Sequence, residues 1–472
     1  MNITLKPRIT GGLLSGPAAK WLGSTALLLT LLTSSASAQV SLCVTEFSVT
    51  NSTTDEFTVT SNGTEYTVPN EESVTGILNP ENAVYSAISD GLDEVDDDSV
   101  AFQVALNILN AANGGSLFVP EGDYCIFHQV VVKDTHEIGN SIAIRGHVPS
   151  EQEQGARIFC KNDQGFLQLI HDSITPRITI SDIKLIAANG GNSGTAFKIR
   201  IGGEEISGSI KSPGVWENGG VKDSRVLTME NVTMRYQTDG DYFTKGLDMG
   251  GSIAGEEKNP VVPASGCYRS IIKNCTFIAP FNDDGNFTFK ADSGFDASNC
   301  YAPVFDTCTV TGAKSGFEMR SNMHVEDSAF RQCIANNCNR GINIWWDAWW
   351  KTEDEKLLDK IPTNWIRNCD ITAHEFGVFI QNRRLVQIVD NTIRPMTNSV
   401  DFVDVKLSNV DLSTVHNNTF IVNAGETPRN PNITVDKNCE DLIVGNNRYG
   451  NNSNIPISNI DIEDGAKDII KY

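Results

Sequence analysis

The sequence predicts a right-handed parallel β-helix, an all-β solenoid with an α-helix capping its N-terminal end. Three observations carry this expectation. A six-residue pattern (apolar, any, Asn/Asp/Thr, any, any, apolar) recurs nine times between Ile180 and Tyr449. Its copies stand at intervals in the twenties or at larger steps, which is the mark of a solenoid. Ahead of them, one amphipathic helical stretch runs into a short strand flanked by glycines.

The elements follow in chain order. Lys6, Arg8 and Lys20 precede an apolar run from Ala26 to Leu32, and Ala36-Ser37-Ala38 fits a cleavage site before Gln39. Residues 1–38 therefore read as a signal peptide and the protein as secreted, extracellular or periplasmic. The apolar run is too short to cross a bilayer, so no membrane span is expected. Residues 39–95 are rich in Thr, Ser, Asn and Glu and alternate as strands do, which makes them a β-rich extension. From Asp96 to about 450 runs the β-helix domain, and 451–472 is left as a tail or cap. Ser99 suits an N-cap, and Ala101, Phe102, Ala105, Leu106 and Leu109 recur at helical spacing as far as Ala112. Asn113-Gly114-Gly115 ends the helix, and Leu117-Phe118-Val119-Pro120 begins the strands.

The repeat then takes over, from Ile180-Ser-Asp-Ile-Lys-Leu185 to Val444-Gly-Asn-Asn-Arg-Tyr449. Its third positions are Asp182, Asn231, Asn274, Thr307, Asp327, Asn368, Asp390, Asn417 and Asn446. The successive gaps are 49, 43, 33, 20, 41, 22, 27 and 29 residues, so those near 40 hold either two coils or one coil with a long loop. Short apolar strands cannot bury a face alone and must stack on their neighbours. Asn and Asp suit the tight turn between strands, and stacking would align the third positions into a ladder inside the turns. On that reading the glycosylation signals at Asn231 and Asn274 are by-products of the repeat.

The run Asp96-Asp97-Asp98-Ser99-Val100-Ala101-Phe102-Gln103, with Gly114-Gly115-Ser116-Leu117-Phe118-Val119-Pro120-Glu121-Gly122-Asp123-Tyr124, resembles the opening of the pectate-lyase-like superfamily. Ile142-Ala143-Ile144-Arg145-Gly146 resembles the strand and glycine turn that follow there. The resemblance implies the β-helix. It leaves the activity open among lyases, hydrolases, epimerases, tailspikes and non-catalytic binders.

Composition narrows the partners. A formal net charge of −22 argues against nucleic acid as a partner, because nucleic-acid binders carry basic patches. An acidic glycan would need a local basic groove or a bridging cation. The 11 cysteines include no Cys-x-x-Cys pair, and they read as structural. On a β-helix, long insertions between repeats point to the working side. Here they are Gly190–Val226, Thr238–Cys267 and Trp345–Trp365, with a polar stretch from Asn282 to Asn299.

A polysaccharide substrate is expected, and a lyase acting on a uronate-containing glycan is the first reading. β-Elimination needs a base and a cation at the uronate, and Lys290 and Arg320, about one coil apart, are the candidates. Asp283, Asp284 and Asp292 offer hard oxygen ligands for calcium, which would bridge uronates to an acidic protein. Trp345, Trp346, Trp349 and Trp350 form a candidate sugar-stacking loop. A hydrolase would instead use paired carboxylates such as Asp239 and Asp241, followed by Asp248. The Gly-His-Gly and Arg-Ile-Lys elements of polygalacturonase-like hydrolases and the Asp-Pro-His-Asp element of mannuronan epimerases are missing. A non-catalytic glycan-binding surface protein is the further alternative.

Overall fold

The computed structural model describes short strands between residues 40 and 77 and most of the chain from 98 to 471. Outside it, in that second span, lie 112–113, 135–140, 149–154, 172–176, 202–225, 250–266, 268, 283–286, 299, 301, 321–326, 346–360, 398, 400, 422–430 and 451–458. The signal-peptide expectation for 1–38 falls outside the described residues.

The described strands stack as the repeats predict. The first apolar position of each copy forms one continuous parallel column: Ile180, Met229, Ile272, Phe305, Phe330, Ile366, Ile388, Val415 and Val444, each in register with the next. Every member is at most 2% exposed. Burying each such side chain contributes on the order of 1.5–3 kcal/mol, so the column is a main source of the fold's stability. Leu117 and Ile144 extend it towards the N-terminus. Adjacent copies are adjacent coils even across the 49- and 43-residue gaps, so those gaps hold one coil with a long loop.

The register corrects one copy. The residue paired with Phe305 is Phe330, so the coil reads Phe330-Arg-Gln-Cys-Ile-Ala335 with Gln332 third, in place of Val325–Phe330 with Asp327 third. Gln332 departs from the Asn/Asp/Thr pattern, which hid the true frame. It adopts the same left-handed backbone as the other third positions, whose φ values run from 51° in Asn274 to 60° in Asp390. That conformation costs most L-residues about 1–2 kcal/mol, and Asn and Asp tolerate it best.

The ladder inside the turns also lies one residue later than expected. Third positions point outward; Asn231 and Asn274 are exposed, so their glycosylation signals are not hidden in turns. Two outward pairs do meet, Asn231 with Asp182 and Asn417 with Asp390. The fourth positions point in. Cys275, Cys308, Cys333 and Cys369 stack on successive coils, and Asn391, Asn418 and Asn447 continue the line. The Asn418 and Asn447 oxygens each accept from the preceding coil's asparagine, both backbone N–H and side-chain amide, and the Asn391 oxygen accepts from the Cys369 backbone N–H. All four cysteines are free thiols; Cys308, Cys333 and Cys369 donate to carbonyl oxygens of the coil before, as Cys308 does to Ile272 at 3.3 Å and Cys333 to Phe305 at 3.4 Å. Burial pushes the thiols of Cys275 and Cys333 well above their ordinary range.

The capping helix spans Ser99–Ala111 and buries Phe102, Ala105, Leu106 and Leu109 completely. Its first backbone bond runs from the Phe102 N–H to the Asp98 carbonyl, so Asp98 rather than Ser99 takes the N-cap place. Ser99 instead accepts from the backbone N–H groups of Phe127 and His128, tying the cap to the first coil. At the far end, Ile460–Ile462 pairs with Ile433–Val435, and Ile470–Lys471 with Ile443–Val444. The solenoid thus continues past the last repeat into 451–472. Among the described residues no helix is long and apolar enough to cross a membrane.

Candidate active site

A second, fainter repeat lies in another strand of each coil. Lys245-Gly-Leu-Asp248, Ser293-Gly-Phe-Asp296, Ser315-Gly-Phe-Glu318, Arg340-Gly-Ile-Asn343 and Phe376-Gly-Val-Phe379 pair in register on five consecutive coils. The apolar member of each (Leu247, Phe295, Phe317, Ile342, Val378) is fully buried, so the residue after it must face outward. The glycines are required for space. A Cβ on Gly246 would stand 2.6 Å from the Gly294 carbonyl oxygen, on Gly316 2.6 Å from that of Gly341, and on Gly341 2.5 Å from that of Gly377. Only a residue without a side chain lets these coils approach so closely.

The outward row that results is Lys198, Asp248, Asp296, Glu318, Asn343, Phe379, Lys406. Three acids therefore stand on adjacent coils, at a strand spacing of about 4.8 Å. Unscreened, they would repel one another. Lys245 prevents that: its ammonium donates to Asp296 Oδ2 at 2.6 Å and lies 3.7 Å from Asp248 Oδ2. The side chains of Asp296 and Asp248 are only 8% and 11% exposed, which strengthens the attraction. Burial opposes the charge on Lys245, yet Asp296 and Asp248 outweigh it and hold the ammonium well above its ordinary range. Asp296 Oδ1 also accepts from the backbone N–H of Ser298 at 3.0 Å and from its hydroxyl. Asp296 is thus held in place by Lys245 on one oxygen and Ser298 on the other.

Glu318 is different. Desolvation, with the Asp296 charge beside it, raises its carboxyl above the usual range. A 3.1 Å hydrogen bond from the Trp345 indole N–H, the Lys245 charge and a bond from Ser315 pull the other way without cancelling the rise. A carboxyl raised above its usual range, beside a carboxylate paired with an ammonium, is the kind of asymmetry that general acid–base chemistry uses.

The structure places the residues singled out in the sequence as follows. Lys290 precedes the strand Ala291–Asp296, donates to the Asp239 carbonyl at 2.8 Å and lies over the Tyr242 ring. Arg320 closes the next strand, Ala313–Arg320, and its side chain lies outside the described residues. In the backbone, Lys290 stands just before the start of its strand and Arg320 at the end of the strand on the next coil. Asp239 is exposed in a turn. Asp241 is 3% exposed and accepts from the Gly190 and Thr238 N–H groups and the Thr238 hydroxyl, so it works as a turn-former rather than as half of a carboxylate pair. Asp292 pairs with Lys314 at 2.7 Å. Asp283 and Asp284 lie outside the described residues, among which no group of three or more such ligands could hold a metal ion. Of the tryptophans, Trp345 is described and donates to Glu318; Trp346, Trp349 and Trp350 lie outside.

Sequence reasoning missed the roles of Lys245, Asp296 and Glu318. The strands of Lys245 and Asp296 sit inside stretches read as an insertion and a polar stretch, and the signal that finds all three residues is the recurring glycine, apolar residue and acid at coil-sized intervals.

Parallel coils stacked behind an N-terminal capping helix are the architecture that the resemblance implies. No protein-family model and no curated protein matches the chain. Among solved structures, the chain is similar to the A-module of a mannuronan C-5 epimerase of Azotobacter vinelandii, at 14% identity and a TM-score of 0.45, covering 82% of this chain and 98% of that one. It is also similar to DFA-IIIase of Arthrobacter chlorophenolicus, at 11% identity and a TM-score of 0.42, covering 79% and 91%. A surface protein and adhesin of Streptococcus pneumoniae matches at 13% identity and a TM-score of 0.37, covering 82% and 98%.

Proposed function

We propose that this chain is a glycan-cleaving hydrolase whose acid is Glu318 and whose base is Asp248. The supporting observation is the row Asp248, Asp296, Glu318 with Lys245 bound into it. Glu318 protonates the leaving glycosidic oxygen, and Asp248 takes a proton from water on the other side of the bond. Asp296, committed to Lys245 and Ser298, positions the lysine, and its charge adds to the desolvation that raises the Glu318 carboxyl. Two strand spacings separate the Cα atoms of Asp248 and Glu318 by about 9.6 Å. Inverting hydrolases keep their carboxyl groups about 6.5–9.5 Å apart and retaining ones about 5–5.5 Å, and this backbone separation is nearer to the inverting spacing.

The same electrostatics weigh against the lyase. An elimination base must lose its proton near neutral pH. Lys245 is moved the opposite way by its two carboxylates. Arg383 is pushed down to about 9 but is fully buried in the interior.

The test is to incubate the protein with a panel of neutral and acidic polysaccharides and follow the products. New reducing ends of inverted configuration, without the ultraviolet absorbance of an unsaturated uronide, are expected. Unsaturated products would overturn the hydrolase. Secretion is part of the proposal, and N-terminal sequencing of exported protein should begin at Gln39. Calcium bridging by Asp283 and Asp284 is likewise proposed, and a chelator should then weaken binding of acidic but not neutral glycans.

A further inference from the structure

Beyond the acids, the same outward row changes character. Asn343 is followed by Phe379 and then Lys406, two and three coils past Glu318. In the neighbouring row, Arg340 is followed by Phe376. The rings of Phe376 and Phe379 lie 5.7 Å apart at an interplanar angle of 27°, and both are half-buried, so they form one partly open apolar platform. The Lys406 ammonium stands 4.9 Å from the centre of the Phe376 ring and 5.9 Å from that of Phe379.

The charges around the platform are unequal. Arg340 lies over the Phe376 ring but is already committed to Glu375, with bonds of 2.8 Å from Nε and 3.3 Å from Nη2. Asn339 donates to the same carboxylate at 3.0 Å. Glu375 is therefore neutralised locally. Lys406 has no carboxylate partner among the described residues; its contacts are the two rings. In a chain of net charge −22, an uncommitted ammonium over an aromatic platform, in line with the acids, marks a place where an anion is welcome.

We propose that Phe376, Phe379 and Lys406 form a subsite for an acidic sugar, two to three coils from the point of cleavage. The sugar's C–H face lies on the two rings, and its carboxylate meets the Lys406 ammonium. A glycan laid along the coils at Glu318 reaches this platform about 10–14 Å away. The subsite makes the substrate a uronate-containing glycan, and it rests on the hydrolase reading only for the direction in which the glycan runs.

The test measures binding apart from chemistry. Full-length Glu318→Gln protein is titrated calorimetrically with oligogalacturonate, oligomannuronate and oligoglucuronate, and with the carboxyl-reduced form of each. At least one acidic oligomer should bind about tenfold or more tightly than its reduced form, since a charged hydrogen bond is worth roughly 1.5–3 kcal/mol. Adding Lys406→Gln should abolish that preference while leaving affinity for the reduced form unchanged, and Lys406→Arg should restore most of it. Phe379→Ala should weaken both forms. Equal binding of acidic and reduced oligomers, or a preference that survives Lys406→Gln in folded protein, overturns the subsite. If the preference depends on Lys406 while the unsubstituted protein cleaves nothing, the subsite stands and the hydrolase falls.

Discussion

Replacing Asn418 by Ala should cost far more stability than the same change one residue earlier. Asn418 is completely buried. Its Oδ1 accepts from the Asn391 backbone N–H at 3.0 Å and from the Asn391 side-chain amide at 2.9 Å. Its Nδ2 donates to the Ile388 carbonyl at 2.9 Å and to Asn447 Oδ1 at 2.9 Å. All four bonds are lost in Asn418→Ala, and no water takes their place at a site this closed. At about 1 kcal/mol net for each bond the loss is about 4 kcal/mol, and more if the Asn391 N–H stays unpaired. Asn417, by contrast, is exposed, holds a left-handed φ of 58° and makes one side-chain bond, to Asp390. Asn417→Ala should cost about 1–2 kcal/mol, mostly from backbone strain, and Asn417→Gly should recover much of it. Urea unfolding followed by far-ultraviolet circular dichroism gives the comparison directly. If Asn418→Ala falls within about 1 kcal/mol of Asn417→Ala, the fourth-position ladder is not the structural element described above.

Two further perturbations probe the interior and the site. Removing the indole donor with Trp345→Phe takes away a bond that lowers the Glu318 pKa, so the alkaline limb of the pH–rate profile should move up by about 1 unit for a bond worth about 1.4 kcal/mol; a downward shift would contradict the role given to Trp345. Arg383 is fully buried, donates only to the Asn382 and Trp345 carbonyls, and leaves Nε without a partner. Its folded pKa of about 9 lies below the ordinary arginine value, so its penalty on stability is fully present below pH 9 and is relieved as pH rises beyond it. Arg383→Met should therefore raise the thermal midpoint at neutral pH, with a smaller gain above pH 9, and a lower midpoint would show that the guanidinium stabilises the interior.

The fold was legible because its signal is periodic and chemical at once. Apolar residues flanking an Asn or Asp fix both the inward column and the left-handed turn, and eight of the nine third positions were placed correctly. Gln332 broke the pattern, and with it one frame, because coil geometry can hold a less favoured residue where packing of Phe330 and Cys333 demands it. The inward ladder was displaced by one residue because side-chain direction at a left-handed turn does not follow strand alternation. The candidate site was hidden for another reason. An acid on a strand looks like any solvated charge, and only stacking shows that Asp248, Asp296 and Glu318 share one row. Trp345 was noticed as an aromatic, but its role as a donor to Glu318 depends on the register of Arg320 with Trp345.

Proton donation by Glu318 is tested most directly by the turnover of Glu318→Gln on two substrates, the natural glycan and an aryl glycoside of the same sugar with an activated leaving group. A general acid contributes about 10²–10⁴-fold, so turnover on the glycan should fall by that factor. The activated leaving group departs without protonation, so the aryl glycoside should be cleaved by the variant at close to the original rate. Equal losses on both substrates, or no loss on either, would contradict Glu318 as the acid.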